Sequence, residues 1–169
     1  KDGIPFYRTK EIVELGKGLN PSLELYISNE QFDNIKKRFG APSSNDILIS
    51  AVGTLGKIWR VPANHPDFYF KDGNLLWLKN IRNSLPTYIE EVLQIVLPEF
   101  VLQNKAGAAY QALTIIKMKE LEIPLPPIEI QKQIVESIED ERALVESAKK
   151  LIDIYDQKNK DAIAKLWEE

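Results

Sequence analysis

The sequence predicts an α+β fold in which an irregular globular domain over residues 1–125 precedes a long C-terminal α-helix over 126–169. Three observations carry this. Short strand-like and helix-like segments mix in the first part without a regular βαβ repeat. Pro124, Pro126 and Pro127 crowd into an elbow. After Pro127 the chain meets neither Gly nor Pro again, and apolar residues recur at alternating spacings of four and three.

The elements follow in order. IPFYR (4–8) reads as a short strand, and Thr9 as the N-cap of a helical turn over Lys10–Leu15. GKGLNPSLE (16–24), with two Gly, a Pro and an Asn, is a loop. LYI (25–27) is a strand. Ser28 and Gln31 form a capping box, and the helix they open turns Phe32, Ile35 and Phe39 to one face before stopping at Gly40. Ile47–Val52 and Lys57–Val61 are two strands joined by a tight connection at Gly53–Gly56. Asn74–Ile81 is a further strand or buried segment.

Pro86 suits the first turn of a helix with Tyr88, Ile89, Val92, Leu93, Val96 and Leu97 on its apolar side, and Pro98 is expected to kink or end it. Residues 103–112 form a small-residue loop, Thr114 caps a short helix, and Leu121–Leu125 is a last strand before the elbow. In the tail, Ile134, Ile138, Glu141, Val145, Ala148, Ile152, Tyr155, Asn159, Ala162 and Leu166 form a seam. Eight of the ten fit apolar packing, and Glu141 and Asn159 are breaks of the kind that set register. A helix of about 40 residues is about 60 Å long, more than its own domain can cover, so it calls for a partner helix.

Composition narrows the chemistry. There is no Cys and one His, His65, which excludes disulfides and thiolate or His-rich metal sites and suits a reducing cytosol. No apolar run approaches the ~20 residues of a membrane span, so a cytoplasmic location is expected. Net charge is −3 over the chain. Residues 129–169 hold eleven acidic and seven basic side chains, and 1–128 hold fourteen and fifteen. The acidity belongs to the tail, and a nucleic-acid surface in the first part has to be a local patch.

Enzyme motifs fail one by one. Gly53-x-x-Gly56-Lys57 is too short for a phosphate-binding loop, and Ile58 stands where Ser or Thr is required. Asn20-Pro21-Ser22-Leu23 lacks the second proline and the aromatic of the Asn-Pro-Pro-aromatic motif of amino-methyltransferases. Pro66-Asp67 has no acidic-x-Lys partner to complete a nuclease site. No Ser/His/Asp layout is visible, and His65 reads as a loop residue.

Three signatures then line up: GIPFYRTKEI (3–12), NDILISAVGTLGKIWRV (45–61) and GAAYQALTIIKMKELEIPLPPIEIQKQIV (107–135). Together they resemble a target recognition domain and the adjoining helical conserved region of the specificity subunit of type I restriction–modification systems. Tyr110-Gln111-Ala112 departs from the family's Gln-Pro pair. The stretch usually found upstream, with a Trp and a Gly-rich turn, is absent. Complete subunits of this kind carry two such halves, so a chain starting at Lys1 is expected to be half a subunit or a short version that pairs with another.

The resemblance implies a non-catalytic, sequence-specific reader of one half of a bipartite double-stranded DNA target. Its helix would set the distance to a second half and dock modification subunits. It also implies that S-adenosylmethionine, ATP and Mg belong to modification and restriction subunits, with no cofactor or metal in this chain. Candidate DNA-binding residues are Arg8, Lys17, Lys36, Lys37, Arg38, Lys57, Arg60, Lys105, Tyr110 and Gln111, donors for phosphates or shaped groups for base edges. The partner-helix residues are Ile134, Ile138, Val145, Ala148, Ile152, Tyr155, Asn159 and Leu166. Two other readings stay open: a coiled-coil adaptor whose globular part binds protein, and a methyltransferase fragment.

Overall fold

The computed structural model describes residues 3–71, 73–105 and 112–165. The chain divides into two compact units, residues 1–131 and 132–169. The first is mixed α and β, with two small three-stranded sheets.

In the first sheet, β1 (Ile4–Tyr7) lies between β2 (Tyr26–Ile27), antiparallel to it, and β5 (Tyr69–Phe70), parallel to it. The second sheet centres on β3 (Ile47–Ser50), flanked by β4 (Ile58–Arg60) and β6 (Leu75–Leu78), both antiparallel. All four β3 residues are buried, which is what a continuous apolar run predicts for a strand covered on both faces. Tyr7, Ile12, Leu48, Trp59, Val61, Phe68, Phe70 and Leu75 form the core between the sheets and α1 (Thr9–Gly16).

Helix α2 (Asn29–Phe39) opens on the expected box. Ser28 Oγ accepts the Gln31 N–H at 3.2 Å, and the Gln31 side chain accepts the Ser28 N–H at 3.2 Å. Helix α3 (Pro86–Lys105) buries Tyr88, Ile89, Leu93, Leu97 and Val101. Helix α4 (Ile115–Met118) is capped by Thr114, whose hydroxyl accepts the Lys117 N–H at 3.2 Å.

Several expectations are corrected. Arg8, not Thr9, is the N-cap of α1, because the Glu11 carboxylate accepts the Arg8 backbone N–H at 2.8 Å and Thr9 becomes the first helical residue. Pro98, expected to kink or end α3, does not end it. Pro98 and Gln94 both sit on the exposed side, where the carbonyl freed by the missing N–H is left to water. Residues 121–127 are not a strand. Prolines at 124, 126 and 127 supply no N–H for a ladder, and the Pro124 carbonyl instead accepts the Tyr88 hydroxyl at 3.0 Å. Phe39, expected to face inward, is 57% exposed beside the helix-ending Gly40. The short strand β5 and its parallel pairing with β1 had no counterpart in the sequence reading.

The first unit includes the opening of α5 (Ile128–Ala164), held there in part by the Gln131 side chain. Gln131 is 1% exposed. Its amide oxygen accepts the Leu85 N–H at 2.9 Å and the Ser84 hydroxyl at 3.0 Å, and its amide nitrogen donates to the Pro126 carbonyl at 2.8 Å. The described part of the second unit is a continuation of this helix, with no break.

Candidate nucleic-acid interface

The β3–β4 hairpin organises one end of the second sheet. Ser50 folds it: its hydroxyl donates to the Thr54 carbonyl and accepts the Lys57 N–H at 2.8 Å. Gly56 takes a φ of +71°, where a side chain is strained. A Cβ there would meet Val101 Cγ2 at 3.1 Å, so the later turns of α3 reach this same end.

Three further segments arrive beside the hairpin. Gly16, the last residue of α1, lies so close to the Ile58 carbonyl that no Cβ fits between them. This puts Lys17, the C-cap of α1, beside the Lys57–Ile58 start of β4. Ala112 bridges Val52, and the Leu113 N–H donates to the Ala51 carbonyl at 2.9 Å. The Ala51 N–H donates to the Asn74 carbonyl at 2.9 Å, and the Asn74 N–H donates to the carbonyl of the exposed Lys71 at 3.4 Å. Lys17, Lys57 and Asn20 are exposed and make no side-chain hydrogen bond or ion pair among the described residues. Lys105 is the last residue of α3, while its side chain, Tyr110 and Gln111 lie outside the described residues.

The remaining cations sit elsewhere and are partly occupied. The Arg60 guanidinium donates to Glu90 at 2.7 Å and to Asn45 at 3.2 Å. Arg8 donates to Glu11 and to Glu24, both at 2.7 Å, and these carboxylates raise its pKa above the ordinary guanidinium value. Lys36, Lys37 and Arg38 lie at the opposite end of the second sheet, where Ile47 pairs Leu78 and Lys79 Nζ donates to the Phe39 carbonyl at 3.3 Å. There Lys36 pairs Asp67 at 3.7 Å and Arg38 lies 5.0 Å from the Phe39 ring centre. Lys37 is exposed with no partner among the described residues. The structure therefore brings the chain at Lys17 to the start of β4 next to Lys57, and the 36–38 cluster lies at the other end of the strands, about 13 Å away. Lys71, near the hairpin end through Asn74, was not among the expected residues. Loop composition alone does not say which polar residues share an end of a sheet.

His65 is part of an aromatic cluster. Its ring packs edge-on to Trp59, Phe68 and Tyr7 at 4.9, 5.1 and 6.0 Å, and its Nδ1 lies 2.8 Å from the Pro66 carbonyl. Burial, with Glu11 and Tyr26 nearby, pushes the Tyr7 hydroxyl up to about 12. Among the described residues no three His, Cys, Asp or Glu side chains converge on a metal position. No helix among them is long and apolar enough to cross a membrane.

A second surface feature of the first unit is a groove of about 800 Å³ whose walls include Phe39, Tyr69, Trp77, Ile115 and Met118 and, among the described residues, the charged Lys79 and Lys119. In the second unit the expected seam residues Ile134, Val145, Ile152 and Tyr155 are exposed, as are Ala148 and Asn159, and Ile138 is half-buried. Leu166 lies outside the described residues. Leu144 and Leu151, 71% and 56% exposed, were not placed on the seam. With them the apolar arc spans roughly 140° at about 100° per residue.

Comparison with known proteins agrees in kind. The family model of the type I restriction modification DNA specificity domain matches residues 1–154. A provisionally named type I restriction enzyme specificity subunit of Haemophilus influenzae is 30% identical over 148 residues, covering 85% of this chain and 34% of that protein. The provisionally named MjaX specificity subunit of Methanocaldococcus jannaschii is 29% identical over 131 residues, 72% of this chain and 30% of that one. The chain thus spans about a third of the length of these relatives. A solved chain from work on complex assembly and conformational transition of the type I R-M system superposes with a TM-score of 0.61 at 19% identity. The match covers 89% of this chain and 33% of that one, a likeness of fold.

Proposed function

Since the chain belongs to the type I restriction modification DNA specificity domain family, we propose that it reads one half of a bipartite double-stranded DNA target and does no covalent chemistry itself. The observation that carries this is the packing of Gly16, next to Lys17, on Ile58, next to Lys57, at the hairpin end of the second sheet. Both lysines are exposed and unpaired among the described residues, while Arg8 and Arg60 are held in ion pairs. Two unpaired ammonium groups beside tight, protruding turns suit phosphate contact. The polar loop residues next to them are then free to test base edges.

On this reading the apolar arc of α5 pairs with a second half or a second copy. Its breadth exceeds a two-stranded seam and leaves room for a modification subunit on the same helix. Methyl transfer from S-adenosylmethionine and the ATP- and Mg-dependent steps would then belong to modification and restriction subunits. One half-site reader binds weakly alone, and linking two through the helix raises the affinity.

The test is binding of the chain, with its modification subunit, to duplexes at rising salt. Log affinity falls linearly with log salt, and selected duplexes share a sequence. Absence of both at low salt contradicts the proposal. The lysine-rimmed apolar groove favours a second reading, a protein-binding adaptor, which predicts partner binding unaffected by DNA.

A further inference from the structure

Arg8 offers a guanidinium suited to guanine, yet its Nε and Nη2 are taken by carboxylates. Its Nη2 donates to Glu11 Oε1 and to Glu24 Oε2 at 2.7 Å each, and its Nε lies 3.3 Å from Glu11 Oε2. Glu11 is 1% exposed. Lys10 Nζ donates to Glu24 Oε1 at 3.1 Å and to Ser22 Oγ at 3.3 Å. Arg8, Lys10 and Glu11, on α1 and its N-cap, thus grip residues 22–24, the far end of the loop between α1 and β2, through Ser22 and Glu24. The near end is gripped at Gly16, wedged against the Ile58 carbonyl, and the Phe6 N–H donates to the Leu25 carbonyl at 3.0 Å just beyond.

Between these two posts only Lys17–Pro21 is unsupported by side-chain bonds, and Leu19 and Asn20 are exposed. Glu24 is half-exposed, where ion pairs contribute little to stability, so the network is better explained by what it positions. A carboxamide on a loop fixed at both ends is a bidentate donor and acceptor for adenine N6 and N7. Fixing the ends avoids the ordering cost that a free loop would meet on binding.

Resting on the DNA-reading function above, we propose that Asn20 is a base-reading residue and that Arg8, with Glu24 and Lys10, is a positioning residue that holds the Asn20 loop rather than a DNA contact. Lys17, at the start of the same loop, supplies the phosphate contact that sets the loop's height over the groove.

The test uses the full chain with its modification subunit and duplexes selected from a random pool. Variants are Asn20→Ala, Glu24→Gln, Arg8→Gln and the double variant Asn20→Ala/Glu24→Gln, each checked for native near-ultraviolet circular dichroism. Asn20→Ala is expected to relax one base position and weaken cognate binding about 5- to 100-fold with the salt slope unchanged. Glu24→Gln and Arg8→Gln are expected to relax that same position, and the double variant to add nothing further. A loss spread evenly over all sequences with a shallower salt slope in Arg8→Gln would make Arg8 a phosphate contact and overturn the clamp. Relaxation at a different position would make Arg8 a reader, with the same consequence. Native preference in Asn20→Ala would remove Asn20. If the unmodified chain selects no sequence at all, it is the reading function that fails.

Discussion

At the scale of single residues, the unit separates cations that hold the fold from cations free to act outside it. Lys17 and Lys57 are of the second kind, and Lys17→Ala/Lys57→Ala should weaken binding to every duplex alike. Losing two phosphate contacts should make the slope of log affinity against log salt shallower by about 1.8. Titration of duplex at four salt concentrations measures it, and a change confined to one sequence would contradict it. Arg8 is of the structural kind, through its pairing with Glu11. Burial pushes the Glu11 carboxyl up, but hydrogen bonds from the Arg8 side chain and backbone outweigh that and leave it below the usual value. A carboxyl lowered on folding stabilises above its unfolded pKa of about 4.3, and that contribution fades as pH falls through the folded value. Denaturant unfolding should therefore show Glu11→Gln less stable than the parent by about 1–3 kcal/mol at pH 7. The gap should close below about pH 4.

At the scale of elements, backbone approach decides which loops become neighbours. Gly16 leaves no room for a methyl group against β4. Gly16→Ala should cost about 1–3 kcal/mol and lower cognate affinity together with stability, read by thermal unfolding and by duplex titration. The opening turn of α5 depends on Gln131 in the same way. Gln131→Leu leaves the Leu85 N–H and Ser84 hydroxyl without their acceptor, at about 1–3 kcal/mol each. Faster amide exchange at Leu85 would report it. Elements with strong local signals were legible: the capping box at Ser28, the buried strand at 47–50, the start of α3 at Pro86, the Thr114 cap and the uninterrupted tail helix. Those set by distant partners were not. The two-residue strand β5 exists because β1 lies beside it. Arg8 displaced Thr9 as the cap because its own N–H found Glu11. Pro98 was tolerated because its turn faces water. Of the candidate site, the residue types were legible, but their convergence was not. Only the fold shows that a helix ending at Lys17 and a strand beginning near Lys57 come together.

At the scale of the whole molecule, reading and spacing are separable tasks. If the globular unit reads DNA, it needs turns held rigidly at one end of a sheet. If α5 sets the separation of two readers, it needs an apolar arc and a length near 55 Å for the 37 residues from Ile128 to Ala164. Introducing Asp at Ile152, mid-helix and 60% exposed, should leave the fold of the first unit intact while dissociating any pairing through the helix, since a charge is costly at an apolar seam. Sedimentation of parent and Ile152→Asp would show it, and an unchanged mass of a paired parent would place the pairing elsewhere. The most direct measurement is selection of bound duplexes from a random pool by the chain with its modification subunit, compared with the Lys17→Ala/Lys57→Ala variant. A hairpin-end reader predicts one short enriched half-sequence for the parent and much weaker recovery of that same sequence for the variant. Equal recovery by both, or recovery of sequences in proportion to their abundance in the pool, would contradict it.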